Sequence, residues 1–203
     1  MRKFFFTVVF LSLLTACSGI PVSRLRRPAK IAILPVENLT GFALDKFPAT
    51  IYSDMEMSAL FKDLSGKSVN FPKLLENALS TELSSFNVLP AAAAKSVFKS
   101  KKADSYKKKR ELLFTNLKAD KAILTVLKEL HLNKLFTEKR VSLYAGLVLI
   151  ETRTGEVLWQ SGKQFVFNLP ASVFSPIGAD FSQILPDIAR KIISDLLNLP
   201  AFD

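Results

Sequence analysis

The chain has 203 residues, 49% of them apolar, which is enough to bury a core in a single domain. One cysteine and one histidine exclude an intrachain disulfide and any Cys/His cluster for a transition metal, and no glycine-rich phosphate loop occurs. The formal net charge of +10 suits an anionic surface or an acidic partner.

Met1-Arg2-Lys3 is a short basic start, and Phe4 to Leu14 is an apolar run broken only by Thr7 and Ser12. Small residues follow, Thr15 and Ala16, directly before Cys17. That order makes a secretory signal over residues 1–16. The run is too short for a bilayer span, which needs about 20 apolar residues.

Leu14-Thr15-Ala16-Cys17 resembles the lipobox of bacterial lipoproteins at all four positions. The resemblance implies that Cys17 is the lipid attachment site and the first residue of the mature chain, so it is not a nucleophile. Each buried methylene contributes about 0.8 kcal/mol, so two or three acyl chains hold a protein on a membrane. Ser18, where retained inner-membrane lipoproteins carry Asp, points to the outer membrane on its periplasmic face. Loss of Arg2 and Lys3 with the signal takes the net charge from +10 to +8. Anionic lipid heads, acidic stem peptides or an acidic protein fit that charge there; nucleic acid does not.

Residues 17–29 read as a lipidated tether, and 30–203 as one α/β domain. Ser18 to Pro28 has one Gly, two Pro, three Arg and no period. Lys30 to Val36 (KIAILPV) is a short apolar run suited to a buried central strand, ended by Pro35. Phe42 to Val69 lacks a clean period yet carries nine large apolar residues between Phe42 and Phe61 alone, with a short helix over Asp54 to Leu64 as one reading. It is expected as an inserted loop or flap. The candidate partner contacts are Phe42, Phe47, Tyr52, Met55, Met57 and Phe61, the methionines offering adaptable packing. A flap that covers the sheet is the equal alternative.

Asn70 with Pro72 opens a helix whose stripe is Leu74, Leu75, Ala78, Leu79 and Leu83. Phe86 to Leu89 is a short strand. Helices are expected over Ala91 to Lys101 and Ser105 to Leu117, where the lysines of 99–110 form a solvated face or an electrostatic docking patch.

Three consecutive strands follow from Lys121 to Leu169. In the middle one Val141, Leu143, Ala145, Leu147 and Leu149 share a face, the period of two of a half-buried strand. Gly155 in Arg153-Thr154-Gly155-Glu156 supplies the positive φ of a tight hairpin, and Trp159 anchors the core beneath it. Pro170 to Gly178 reads as a loop. A last helix over Pro186 to Asn198 carries the longest apolar stripe, with Asp187 in its first turn. The fold class is α/β (α+β), a sandwich with a mixed sheet in the order β-α-β-α-α-β-β-β-α.

Three stretches, Lys30 to Gly41 (KIAILPVENLTG), Leu117 to Leu127 (LKADKAILTVL) and Val141 through RTGEVLW to Trp159, resemble a family of outer-membrane lipoproteins. That family includes the curli-secretion lipoprotein, penicillin-binding-protein activators and small lipoproteins of unassigned function, all with a domain similar to the TolB amino-terminal domain. The resemblance covers roughly 30–41 and 70–199 and implies no catalytic residue and no cofactor. Phe42 to Val69 departs from it: the segment does not alternate as membrane hairpins of a curli-type pore require.

His131 falls within a strand, and Glu37, Asp45, Asp54 and Glu56 are scattered acids without a paired-carboxylate arrangement. No nucleophile-elbow sequence accompanies the histidine. A non-enzymatic adaptor or assembly factor is therefore expected, binding other envelope proteins. The alternative is a subunit of a homo-oligomeric secretion or transport complex.

Overall fold

The alternating and continuous apolar runs build one mixed sheet, seen in a computed structural model that describes residues 30–53, 67–99 and 117–198. Strands β1 (Lys30–Ile33) and β2 (Glu37–Asn38) are followed by β3 (Phe47–Pro48), β4 (Thr50–Tyr52) and β5 (Ser68–Val69). Helix α1 (Phe71–Glu82), β6 (Asn87–Leu89) and helix α2 (Ala91–Lys99) come next. The meander is β7 (Lys121–His131), the one-turn helix α3 (Leu135–Glu138), β8 (Arg140–Glu151) and β9 (Val157–Asn168). Strands β10 (Phe174–Ser175) and β11 (Gly178–Asp180) lead to helix α4 (Leu185–Leu197).

The main sheet runs β6-β1-β7-β8-β9, and β2 also pairs with β7, past the break at Pro35. β1 is parallel to both β6 and β7, while β7, β8 and β9 are antiparallel. The expected α/β class, mixed sheet and antiparallel meander are thus present.

One face of the sheet carries Ile31, Ile33, Ile123, Leu127 and the expected row from Val141 to Leu149. It packs against α1 through Leu75 and Leu79 and against α4 through Leu185, Ala189, Ile192, Ile193 and Leu196. Full burial of each Leu or Ile contributes roughly 1.5–3 kcal/mol, so this face dominates stability. The opposite face gathers a smaller cluster of Ala32, Leu34, Ala94, Leu117, Ala122, Leu124 and Ile150.

Local chemistry sets the element ends. The Asn70 side chain accepts from the Lys73 N–H at 2.9 Å and caps α1, with Pro72 in its first turn. Gly155 takes φ 68° in the β8–β9 turn. Lys139 takes φ 50° to end α3, a conformation that costs an L-residue about 1–2 kcal/mol. Trp159 is 2% exposed, beneath the hairpin as expected.

Packing bears on two expectations. Pro170 to Gly178 is more than a loop: it holds a 3-10 turn at Ala171–Val173, all of β10 and the start of β11. β11 in turn pairs antiparallel with β4, making a three-stranded sheet. Gly178 permits this, because a Cβ there would press on the Ile51 carbonyl oxygen. The second expectation, Phe42 to Val69 as a partner-binding loop or equally a flap covering the sheet, follows the latter reading in its described part. Leu44, Phe47 and Ile51 belong to the main core, and β3 pairs with β5, so this part of the segment is built in. The helices expected at Asp54 to Leu64 and Ser105 to Leu117 lie outside the described residues, apart from Leu117 itself.

Candidate functional site: the end of the sheet away from Lys30

Lys30, where β1 begins, marks one end of the sheet. The Lys30 N–H donates to Asp120 Oδ2 at 2.8 Å, and the Asp120 N–H donates back to the Lys30 carbonyl. Thr152, just past β8, donates its backbone N–H to the Asp120 carbonyl and its hydroxyl to the Ala119 carbonyl. The starts of β1 and β7 and the β8–β9 turn therefore form one end of the sheet. The β7–β8 connection, with α3, forms the other.

Exposed apolar side chains fall unevenly between these ends. Six large apolar residues are exposed among the described residues: Leu39, Tyr52, Phe136, Val157, Val166 and Ile177. Of these, Val157, beside the β8–β9 turn, lies at the Lys30 end. Leu39 follows β2 and donates its N–H to the Leu127 carbonyl. Val166 is paired with Ser142 near the start of β8.

The remaining three sit on a connected frame. Phe136 of α3 meets Phe174 of β10 edge to face, with centroids 6.3 Å apart. Phe174 pairs with Ala179, and Gly178 of the same strand pairs with Tyr52. Ile177, in the β10–β11 turn, is 65% exposed, and its carbonyl accepts from the Ser53 N–H at 3.1 Å. The Lys139 ammonium stands 5.5 Å from the Phe174 ring centroid.

Charge fixes the base of this frame. Glu138 bonds Lys134 at 2.8 Å and Arg140 at 3.0 Å. The hydrogen bond from Lys134, with the charges of Lys134 and Arg140 behind it, holds the Glu138 carboxyl below its ordinary 4.5. Asp180 is likewise lowered, first by the Ser182 backbone N–H, which it accepts at 2.9 Å. The Glu138 bonds hold the turn that presents Phe136, and the Ser175 hydroxyl, which donates to the Gly178 carbonyl at 3.2 Å, holds the turn that presents Ile177.

The residues expected as partner contacts separate. Tyr52 is 43% exposed and belongs to this end. Phe42 is half-buried against the core. Phe47 is only 5% exposed, its ring packed inside, so it is a core residue and not a surface contact. Met55, Met57, Phe61 and Cys17 lie outside the described residues. Phe136, Ile177, Leu39 and Val166 were not singled out from sequence. Their signal was an apolar residue at a turn: Phe136 in the β7–β8 connection and Ile177 after Pro176.

The sheet face opposite the main core has a groove of about 250 Å³ lined by Val126, Lys128, Tyr144, Gly146, Gln160 and Gly162. Gly146 and Gly162 are directly paired across β8 and β9, which lowers its floor. The Lys128 ammonium lies 5.2 Å from the Tyr144 ring centroid at the groove. His131, at the end of β7, is exposed and 3.4 Å from Glu129. Among the described residues no three His, Cys, Asp or Glu side chains converge, and no helix is long and apolar enough to cross a membrane.

No family model matches the chain, and no curated protein matches it. Solved structures do. The crystal structure of lipoprotein GNA1162 from Neisseria meningitidis has a TM-score of 0.50 at 15% identity, covering 83% of this chain and 98% of that one. The PelC dodecamer from Paraburkholderia phytofirmans gives 0.41 at 14% identity, covering 92% and 95%. The LpoB C-terminal domain from Escherichia coli gives 0.37 at 12% identity, covering 74% and 96%. The fold of this chain is one found in a bacterial lipoprotein.

Proposed function

We propose that the chain is an outer-membrane lipoprotein, anchored through Cys17, whose periplasmic domain binds other envelope proteins as a non-enzymatic adaptor or assembly factor. The observation that carries this reading is the placement of exposed apolar residues. Three of the six, Tyr52, Phe136 and Ile177, share one connected frame at the end of the sheet opposite Lys30, where a tether from the membrane would enter. Exposed apolar residues grouped on one surface suit a protein partner. Fully extended, at about 3.3 Å per residue, the eleven residues from Ser18 to Pro28 would reach on the order of 35 Å, enough to carry the far end into the periplasm. The lipobox resemblance at Leu14 to Cys17 and the fold shared with a lipoprotein support the anchor.

The test is the full chain carrying Tyr52→Ser, Phe136→Ser and Ile177→Ser together, crosslinked in its own envelope. Loss of the wild-type crosslinked partners, with the thermal midpoint within a few degrees of wild type, is the expected result. Partners retained in full by the folded triple variant would remove this surface from the function.

A further inference from the structure

Among the described residues strand β9, twelve residues long, is the outermost strand of the main sheet and pairs only with β8. The direction of its backbone groups follows from one bond. The Leu169 N–H donates to the Lys139 carbonyl at 2.8 Å, so residues 169 and 139 form a hydrogen-bonded pair. Antiparallel pairs alternate, so Trp159, Ser161, Lys163, Phe165 and Phe167 turn their N–H and C=O groups towards β8. Gln160, Gly162, Gln164, Val166 and Asn168 turn theirs outward, and no described residue bonds them.

An open row of this kind is a template for another strand, and proteins usually blunt it with proline, charge or a bulge. Here those devices only bound the row. Pro170 ends it on one side, and the irregularity opposite Leu149 and Ile150 ends it on the other. The one charge within it, Lys163, points along the sheet face to Asp195 of α4 at 3.1 Å, not across the edge.

We propose that β9 pairs with β9 of a second copy of this chain, antiparallel about a two-fold axis at Gln164. The five outward residues are centred on Gln164, and this register alone pairs all of them: Gln160 with Asn168, Gly162 with Val166, and Gln164 with itself. Two bonds per narrow pair give roughly ten backbone hydrogen bonds. Val166, 55% exposed in the single chain, comes opposite Gly162, at the rim of the groove lined by Gly146 and Tyr144, where the Tyr144 hydroxyl is the side-chain atom nearest to Gly162's absent Cβ. Lys163 comes opposite Phe165 of the copy. Lowering the pairing sum by two would set Lys163 against Lys163, a like-charge pair that destabilises a sheet, and raising it by two would leave Gln160 without a partner in the row. The contact is isologous, so it closes at two copies and does not extend into a fibre. It uses a different surface from Tyr52, Phe136 and Ile177, and stands or falls separately from the proposed function.

Engineered cysteines in the full chain test it, with oxidation by copper phenanthroline in the envelope and the wild type as blank for Cys17. In the narrow pair at the axis, Gln164→Cys brings two Cα atoms to about 5.5 Å, within disulfide reach. Gln160→Cys, at a site paired with Asn168, keeps its own copy roughly 27 Å away. Gln164→Cys should give a reducible dimer of twice the chain mass, and Gln160→Cys alone at least tenfold less. Adding Val166→Lys to Gln164→Cys should cut the dimer at least tenfold while the thermal midpoint holds. Absence of the dimer, equal yields from the two single sites, indifference to Val166→Lys, or a disulfide from residue 164 to a different protein would each overturn the proposal.

Discussion

The rings of Phe47 and Phe181 meet edge to face, with centroids 5.7 Å apart and planes at 86°. Phe47 belongs to the segment between β1 and α1, and Phe181 links β11 to α4, so this contact ties that segment to the last helix. The Phe181 N–H also donates to the Ala49 carbonyl at 2.7 Å. Phe47→Ala should therefore cost roughly 3–5 kcal/mol, a large share of a typical domain's stability. Replacing residues 43–68 with a short Gly/Ser linker should unfold the domain at ordinary temperature. A deletion variant with a wild-type melting curve would show that the segment is dispensable.

Gly178 governs the pairing of β4 with β11. A Cβ at this position would sit inside contact distance of the Ile51 carbonyl oxygen and 3.0 Å from the Tyr52 Cα, both backbone atoms that cannot swing aside. Gly178→Ala should destabilise by about 1–3 kcal/mol. It should also raise hydrogen exchange at Thr50 to Tyr52 more than in β7 or β8. Uniform exchange changes across the domain would contradict this local role.

Trp159 fills the core beneath the β8–β9 turn, yet its indole N–H is buried without a hydrogen-bond partner among the described residues. Trp159→Ala should cost roughly 3–5 kcal/mol through the cavity it leaves. Trp159→Phe removes the unpaired donor as well as some volume, so its cost should be about half of that or less. Chemical denaturation of both variants checks the order; equal losses would mean that the indole N–H is satisfied.

Asp195 supplies a pH dependence of known sign. Partial burial opposes its charge, but hydrogen bonds from Lys163 and Lys191 outweigh that and lower the folded-state pKa below 3.8. A carboxylate lowered on folding stabilises the domain above its unfolded value, and that contribution fades as pH falls through 3.8 towards the folded value. The melting temperature of Asp195→Asn should lie below wild type at pH 7, and the gap should close below about pH 3.8. A constant gap would show that the loss is steric.

The parts of the fold that sequence exposed are those whose burial has a period. The row from Val141 to Leu149, the Asn70 cap, Gly155 in its turn and the stripe of α4 are each set by neighbours a few residues away. Phe47 and Ile51 were harder because their burial depends on β11, more than a hundred positions distant, and leaves no local period. The same cause hid β10 and β11, whose short strands exist because Gly178 lets β4 approach. At the candidate site Tyr52 was legible as a large apolar residue in an irregular stretch. Ile177 and Phe136 were not, because exposure at a turn depends on what the turn packs against. The shared lipoprotein fold agrees with the resemblance carried by KIAILPVENLTG and RTGEVLW at the level of architecture.

The whole arrangement takes its meaning from which end of the domain faces a membrane, and that rests on Cys17. The most direct measurement is metabolic labelling with a radioactive fatty acid, together with membrane fractionation, of the wild type and Cys17→Ala. The account predicts a labelled, processed wild-type chain in the outer membrane, and an unlabelled variant that keeps residues 1–16. A Cys17→Ala chain that is processed normally and fractionates with the outer membrane would contradict it.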